Sequence, residues 1–284
     1  MNISSLRQKY HQRICSEMIR IRHGSTKGDY PNFADGSSNQ SIKYAWGILD
    51  RLSCERNYDI LDGQTVGTRF ETITRDFVKA AFSYLQHIRP GEFDYSVHTN
   101  IAEFAQYEHL TYISDAFKKN AILASAFGGD YVVRPDIVIG KKPMSDEQID
   151  KLGILSDSAV QHAKYTTLRH SNSPHPILHA IISCKWTIRT DRAQNTRTEV
   201  LNLIRNRKGH LPHIVAITAE PWPARIAALA LGTGDLDCVY HFALTELVEA
   251  VEETKNDDGI EALQIMINGK RLRDVSDLPF DLAV

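Results

Sequence analysis

The stretch AIISCKWTIR, residues 180–189, decides the fold class because its polarity alternates with a period of two. In a β-strand, such alternation places successive side chains on opposite faces of a sheet. The apolar face carries Ala180, Ile182, Cys184, Trp186 and Ile188. The other face carries Ile181, Ser183, Lys185, Thr187 and Arg189. We expect Lys185 to face a cleft or a partner, since a charged lysine inside a sheet is otherwise costly. The alternative is that Lys185 simply extends into solvent.

Strand-like and helix-like segments alternate on both sides of this stretch. The predicted strands span residues 92–98, 131–139, 177–189, 214–217 and 238–242. The predicted helices span residues 5–22, 41–55, 66–88, 102–127, 192–207, 224–231, 245–254 and 259–267. This order predicts one α/β domain over residues 1–284, with a mixed central β-sheet flanked by helices. Residues 1 to about 90 are expected to form a helical N-terminal part, and residues from about 91 to 284 the core.

The composition is that of a soluble globular protein. The 284 residues carry a formal net charge of -2, and 42% of them are hydrophobic. The longest apolar run, residues 226–231, is far shorter than the roughly 20 residues of a membrane-spanning helix, and the N-terminus lacks a signal peptide's apolar segment. The four cysteines are widely spaced and form no C-x-x-C pair. Neither a disulfide framework nor a zinc knuckle is therefore expected, and the cytoplasm is the expected compartment.

Charge is unevenly distributed along the chain. Residues 185–208 include seven basic and two acidic residues, whereas residues 211–284 include five basic and thirteen acidic residues. A basic segment of this kind fits a polyanionic partner such as nucleic acid. The alternative is that both segments are solvated faces.

An acid inside a strand-like run is the second unusual feature. Asp136 follows Pro135 in the run VVRPDIV, and proline indicates a bulge or the end of a pairing ladder. Asp136 could therefore belong to a turn at the end of a strand. If it instead adjoins Lys185 on a neighbouring strand, a carboxylate and an ammonium share one cleft, which is half of a Mg²⁺-dependent nuclease site.

Such a site needs a second carboxylate. In the usual pattern, acid–x–Lys, the acid would stand at position 183, which is Ser183 here. Glu199, on the helix that follows the strand, could point back towards it. Glu71, at the border of the apolar stripe of its own helix, is a further candidate.

These residues resemble a known family. Pro135-Asp136, Ser183-Cys184-Lys185 and Glu199 match the displaced form of the PD-(D/E)xK signature, which is found in type II restriction endonucleases that recognise a CCGG core. Longer stretches of the family are matched by ISCKWTIR at 182–189, DRAQN at 191–195, RNRKG at 205–209 and DLP at 277–279. The resemblance runs from about residue 34 to the C-terminus and is weakest over residues 94–178. It implies a restriction-endonuclease-like core with added N-terminal helices.

The resemblance also implies an active site. Asp136 would bridge two Mg²⁺ ions, with the backbone carbonyl of Cys184 and the carboxylate of Glu199 as further ligands. Lys185 would position the attacking water, and Glu71 would act from outside the ligand shell. Ser183 remains a candidate because it occupies the position of the displaced acid.

In the family that this chain resembles, the residues at Arg189, Asp191 and Arg192 read the CCGG core from the major groove. Arginine suits guanine O6 and N7, and a carboxylate suits cytosine N4, so the chemistry fits G·C pairs. Gln64 matches a minor-groove contact, although it could cap its helix instead. Asp35 and Arg225 match readers of the outer base pair; the alternatives are a turn residue for Asp35 and a solvated helix residue for Arg225.

The expected function is therefore a type II restriction endonuclease. The resemblance implies Mg²⁺-dependent cleavage of duplex DNA at GCCGGC after the first G, leaving 5′-phosphates and four-base 5′ overhangs. It further implies a homotetramer that binds two DNA sites and a companion DNA methyltransferase in the same cell. Two alternatives stay open: a repair or structure-specific nuclease with the same fold, and a DNA-binding protein that does not cleave.

Overall fold

The computed structural model describes residues 2–25, 27–120, 122, 125, 133–155, 162–188, 190–232 and 234–284. Over residues 190–195 it describes the backbone alone. None of the helices in these ranges has the length and apolarity that crossing a bilayer requires.

A six-stranded sheet forms the centre of the molecule. Its strands are β3 (Phe93–Val97), β4 (Ile137–Lys141), β5 (Ile177–Lys185), β6 (His213–Thr218), β7 (Cys238–His241) and β8 (Leu272–Asp274), in that spatial order. The pairs β3–β4 and β4–β5 are antiparallel, and β5 to β8 are parallel. The predicted mixed sheet is therefore confirmed. Two short strands, β1 (Ile21–Arg22) and β2 (Tyr30–Pro31), pair separately in the N-terminal part.

Helices flank this sheet. They are α1 (Ile3–Glu17), α2 (Asn39–Leu52), α3 (Gly63–Phe82), α4 (His109–Lys119), α5 (Asp146–Ile149), α6 (Thr190–Asn206), α7 (Pro223–Ala230), α8 (Leu244–Glu253), α9 (Asp257–Asn268) and α10 (Leu278–Asp281). In α3 the side chains of Val66, Phe70, Ile73 and Phe77 are buried along one stripe, because their spacing of three and four residues places them on one face. The Asp62 carboxylate caps this helix by accepting the N–H of Thr65 at 2.9 Å.

The strand that carries the lysine is buried more completely than its alternation predicts. All residues of β5 from Ile177 to Ser183 are buried, on both faces of the sheet, and only Cys184 and Lys185 are partly exposed. Lys185 therefore stands at the partly exposed end of a strand that is otherwise buried. The strand also ends at Lys185, so Trp186 to Ile188 belong to the connection to α6, and Arg189 lies outside the described residues.

Other predicted boundaries are also wrong. The strand predicted over residues 131–139 begins only at Ile137, because Pro135 has no N–H to donate to a ladder. The helix predicted over residues 102–127 is a 3-10 turn at Ile101–Glu103 followed by α4; most of its last predicted residues lie outside the described ranges. Strand β8 was not predicted at all.

The cysteines correct another expectation. Cys15, in the last turn of α1, forms a disulfide with Cys54, two residues after the end of α2. Cysteines 39 residues apart form no local motif that would predict a disulfide, because this pairing depends on how the two helices pack. Cys184 and Cys238 are free.

The N-terminal helices share their core with the sheet. Buried apolar side chains from α1, α2, α3 and strands β4 to β8 belong to one cluster. Within it, the ring of Trp186 packs edge-on against Phe33 and Phe70, at centroid distances of 5.8 and 5.2 Å. The residues just after β5 are therefore held against the N-terminal part, and this contact positions the cleft described next.

Candidate active site

A cleft of about 1140 Å³ lies where the N-terminal segments meet the ends of β4 and β5. Seven of the predicted site residues line this one cleft: Asp35, Glu71, Asp136, Cys184, Lys185, Glu199 and Arg225. Five of them lie on one strand and three helices, and Asp35 and Asp136 lie on connections. Together they span nearly 200 positions of the sequence. The sheet and the helices thus bring the predicted residues together.

Asp136 and Lys185 are in direct contact. Asp136 immediately precedes β4, and Ile137 pairs with Ile182 in the antiparallel ladder. The Lys185 Nζ donates to Asp136 Oδ2 at 3.0 Å, and the Cys184 N–H donates to the same oxygen at 2.7 Å. Lys185 is therefore paired within the cleft and does not extend freely into solvent. Asp136 lies in a bend at the start of a strand, as its alternative supposed, and it faces the same cleft.

The electrostatics keep Lys185 charged. Burial by itself lowers the pKa of Lys185, but the neighbouring Asp136 carboxylate outweighs burial and raises it. The side chain is therefore an ammonium and acts as a hydrogen-bond donor and a positive charge. Burial raises the pKa of the Cys184 thiol; the thiol stays protonated, and the residue offers a ligand only through its main-chain carbonyl.

Glu71 is the buried carboxylate of the cleft. Burial raises the pKa of Glu71, and the nearby Asp136 charge raises it further. His98 Nε2 lies 2.9 Å from Glu71 Oε2. The His98 N–H also donates to the Pro135 carbonyl at 3.2 Å, and its left-handed backbone (φ 54°) turns the chain towards the cleft. Sequence reasoning missed His98; the only signal was a polar residue at the end of a predicted strand.

Glu199 approaches the same place from α6. Val200 and Leu203, on the same helix, are buried and fix its rotation against the sheet. The Glu199 side chain borders the cleft, where partial burial raises its pKa and the Lys185 charge opposes that shift. Ser183 is different: it is buried within β5, opposite Ala216 of β6.

The donor types fit a hard divalent cation. Asp136, Glu199 and Glu71 supply carboxylate oxygens, and Cys184 supplies a main-chain carbonyl, which are the ligands that Mg²⁺ prefers. In the described part of the chain, no three side chains of His, Cys, Asp or Glu converge closely enough to form a metal site by themselves. Water and substrate oxygens would therefore complete the shell, as is usual for Mg²⁺.

Asp35 and Arg225 form an ion pair in the cleft, between Arg225 Nη2 and Asp35 Oδ2. Asp35 also accepts the N–H and the hydroxyl of Ser37, at 2.9 and 2.7 Å, so it is a turn residue as well as a partner for arginine. These bonds lower the pKa of Asp35, those from Ser37 most. Arg225 lies 5.1 Å above the ring of Trp222, so it is not a freely solvated helix residue.

The structure describes less of the other residues that were predicted to contact DNA bases. Gln64 is exposed in the first turn of α3; the capping alternative is wrong, since Asp62 caps that helix. Asp191 and Arg192 lie in the first turn of α6, but their side chains are outside the description. Arg189 lies outside the described residues.

Glu220 is a second residue that sequence reasoning missed. Its side chain is 1% exposed, two residues beyond the end of β6. Its oxygens accept the N–H groups of Ile188 and Trp222 at 2.8 and 3.2 Å, and burial raises its pKa to about 7. An acid just after a buried parallel strand, at the sheet edge where Lys185 ends β5, was the available signal.

Comparison with known proteins identifies the family. The family model described as NgoMIV restriction enzyme matches residues 10–284. The type II restriction enzyme NgoMIV of Neisseria gonorrhoeae is 50% identical over 256 residues, which cover 88% of this chain and 89% of that enzyme.

Solved structures show a weaker likeness. The type IIF restriction endonuclease Bse634I with cognate DNA has a TM-score of 0.38 at 12% identity, over 84% of this chain and 97% of that one. A PspGI–substrate DNA complex has a TM-score of 0.33 at 12% identity, over 99% and 92% of the two chains. The sequence matches are the stronger finding, since both extend over nearly the whole chain. On that ground the chain belongs to the NgoMIV family and is a type II restriction endonuclease, a site-specific deoxyribonuclease.

Proposed function

We propose that this enzyme hydrolyses duplex DNA at GCCGGC, after the first G and with Mg²⁺, leaving 5′-phosphates and four-base 5′ overhangs. The observation that carries the proposal is the cleft in which the Asp136–Lys185 pair lies beside Glu71, Glu199 and the Asp35–Arg225 pair. One cleft thus contains both an arrangement suited to phosphodiester hydrolysis and groups suited to reading a base pair.

Each residue of the catalytic group has a distinct task in this proposal. Asp136, Glu199 and the Cys184 carbonyl would hold two Mg²⁺ ions, which lower the pKa of bound water and offset charge on the phosphate when bound. The Lys185 ammonium holds the attacking water and offsets the charge that develops on the phosphate oxygens. Glu71 acts from outside the ligand shell, where His98 orients it. Ser183 lies two residues before Lys185 on the same strand, where it is buried and carries no charge.

The proposed recognition of the DNA sequence follows from the hydrogen-bonding groups that base pairs present in the grooves. Arginine donates to guanine O6 and N7, and a carboxylate accepts from cytosine N4. Arg189, Asp191 and Arg192 would read the CCGG core in this way. The Asp35–Arg225 pair offers the same two functions to the outer G·C pair, and Gln64, exposed at the start of α3, would contact the minor groove.

We propose further that residues 1–284 work as one domain, with a helical part to about residue 90 and the DNA-reading core after it. The functional form would be a homotetramer that binds two DNA sites in the cytoplasm. A companion DNA methyltransferase would protect the same sites in the host genome. The single apolar cluster shared by the N-terminal helices and the sheet supports the undivided domain.

Mapping the ends of a digested plasmid tests the proposal. A plasmid of known sequence is incubated with the purified protein and Mg²⁺, and the termini are sequenced; an EDTA sample is the control. We expect every end to lie within GCCGGC and no cleavage with EDTA. Cuts without sequence preference would favour a repair or structure-specific nuclease, and specific binding without cleavage would favour a non-catalytic DNA-binding protein.

A further inference from the structure

Glu220 is a carboxylate enclosed by main-chain donors rather than by solvent. Its Oε2 accepts the Ile188 N–H at 2.8 Å, and its Oε1 accepts the Trp222 N–H at 3.2 Å. Its own N–H donates to the Thr218 hydroxyl at 3.0 Å. Burying a carboxylate destabilises a protein unless such bonds compensate, so this position constrains both of the segments that it joins.

The first of these segments leads into helix α6. Ile188 lies three residues after Lys185, where β5 ends, and two residues before Thr190, where α6 begins. Ile188 is itself buried. The hydrogen bond from its N–H therefore anchors the connection between the strand and the helix, directly before the proposed readers Asp191 and Arg192.

The second segment carries the proposed reader of the outer base pair. Trp222, whose N–H donates to Glu220, lies under the guanidinium of Arg225. Arg225 Nη1 is 3.9 Å from Glu220 Oε2, while Nη2 of the same guanidinium bonds Asp35. The buried Glu220 carboxyl group thus bonds Ile188, which precedes the proposed readers of the core. It also bonds Trp222, on which Arg225 lies, and it is close to the Arg225 guanidinium itself.

We propose that Glu220 is a positioning residue for sequence readout, which joins the Asp35–Arg225 pair to the start of α6 so that the core and outer base pairs are read as one unit. The inference rests on the readout roles proposed above. Both side-chain oxygens of Glu220 accept main-chain N–H groups, whereas an amide has an acceptor at one end only, and this explains an acid here in place of a neutral amide.

The variant Glu220→Gln tests the inference. Glutamine keeps the size but places an NH₂ donor against one of the two N–H groups. The measurement is the cleavage rate at GCCGGC divided by the rate at an altered site. One altered site is changed at the outer base pair, and the other is changed at one core base pair. This ratio is independent of how much protein is folded. We expect it to fall about tenfold or more at both positions, whereas Arg225→Ala should lower it at the outer pair alone.

Two further variants make the result unambiguous. Glu246→Gln breaks a partly buried ion pair with Arg7 away from the cleft, so it should lower stability and leave both ratios unchanged. Glu220→Asp keeps two acceptor oxygens on a shorter side chain and should lose less discrimination than Glu220→Gln. It replaces that variant if glutamine prevents folding.

The outcomes separate this inference from the proposed function. Equal loss of rate on all sites by the Glu220 variants, with wild-type discrimination retained, shows a purely structural residue and overturns the inference alone. A wild-type enzyme without preference for GCCGGC overturns the proposed function and the inference with it. A joint loss of core and outer discrimination supports both.

Discussion

Lys185 ends a buried strand and still carries a charge, which the Asp136 carboxylate at 3.0 Å makes possible. The attraction between them outweighs the effect of burial on the lysine pKa. Because its ammonium is not expected to release a proton near neutral pH, Lys185 is better suited to hold a water and offset charge than to act as a general base.

Loss of this ammonium should affect the chemical step and not DNA binding. We expect Lys185→Ala to slow cleavage in Mg²⁺ by at least about a hundredfold, the scale of losing one charged donor at a reacting phosphate. Specific binding in Ca²⁺, measured by gel shift, should change little. Lys79→Ala, exposed on α3, is the control and should cleave normally. Cleavage by Lys185→Ala within a few-fold of wild type would contradict the role.

The buried acid Glu220 makes a prediction about pH. Its pKa rises from the ordinary 4.5 to about 7, so between these values the folded protein keeps a proton that the unfolded chain has lost. Its contribution to the free energy of unfolding is therefore greatest below pH 4.5 and decreases as pH rises to about 7. We expect the stability of wild type minus that of Glu220→Gln, from urea unfolding, to decrease over this window.

Glu246→Gln serves as the matched control for that measurement. Burial alone would raise the pKa of Glu246, but the bonds from Arg7 lower it. Glu246 therefore titrates below the window, and its stability difference should stay flat from about pH 5 to 8. A flat difference for Glu220→Gln as well would show that Glu220 is ionised throughout this range in the folded protein.

In the proposed active site, strand β5 and helix α6 together supply the groups that a single strand supplies in the commoner acid–x–Lys signature. Ser183 and Lys185 lie about 6.6 Å apart along the strand, and we propose that Glu199 on the helix takes the place of the acid that the commoner signature has at position 183. The burial of Ser183 and the position of Glu199 in the cleft agree with this displacement.

Moving the carboxylate between these elements tests the displacement. We expect Glu199→Ala to lower cleavage by about a hundredfold or more with little loss of DNA binding, because a metal would lose a charged ligand. Ser183→Glu combined with Glu199→Ala should restore a measurable part, though not all, because position 183 is enclosed. Normal cleavage by Glu199→Ala would instead make Glu71 the leading second carboxylate.

The proposed tetramer predicts how the enzyme responds to the number of DNA sites. If two clefts must be occupied together, a plasmid with two sites brings the second at a high effective concentration. We expect two-site plasmids to be cut faster than one-site plasmids, and a short duplex containing GCCGGC to accelerate the latter. Equal rates on both plasmids, with a dimer in sedimentation, would contradict the tetramer.

Local patterns in the sequence predicted much of this protein. The alternation around Ser183 and Lys185 identified the central strand, and the stripe of Val66, Phe70 and Phe77 identified α3. Both signals are reliable because burial of one face imposes a period of two on a strand and about 3.6 on a helix. The extended stretches around Lys185 also carried the family resemblance that the comparisons confirmed.

Tertiary structure alone decided the contacts between distant positions. The Cys15–Cys54 disulfide, the His98–Glu71 pair and the enclosure of Glu220 by Ile188 and Trp222 all join residues without a shared local pattern. The sequence by itself determined most of the longer strands and helices, because periodicity and turn residues act over a few positions. Which side chains meet in the cleft was decided by packing, since the free energy of burying a charged group depends on partners that the fold supplies.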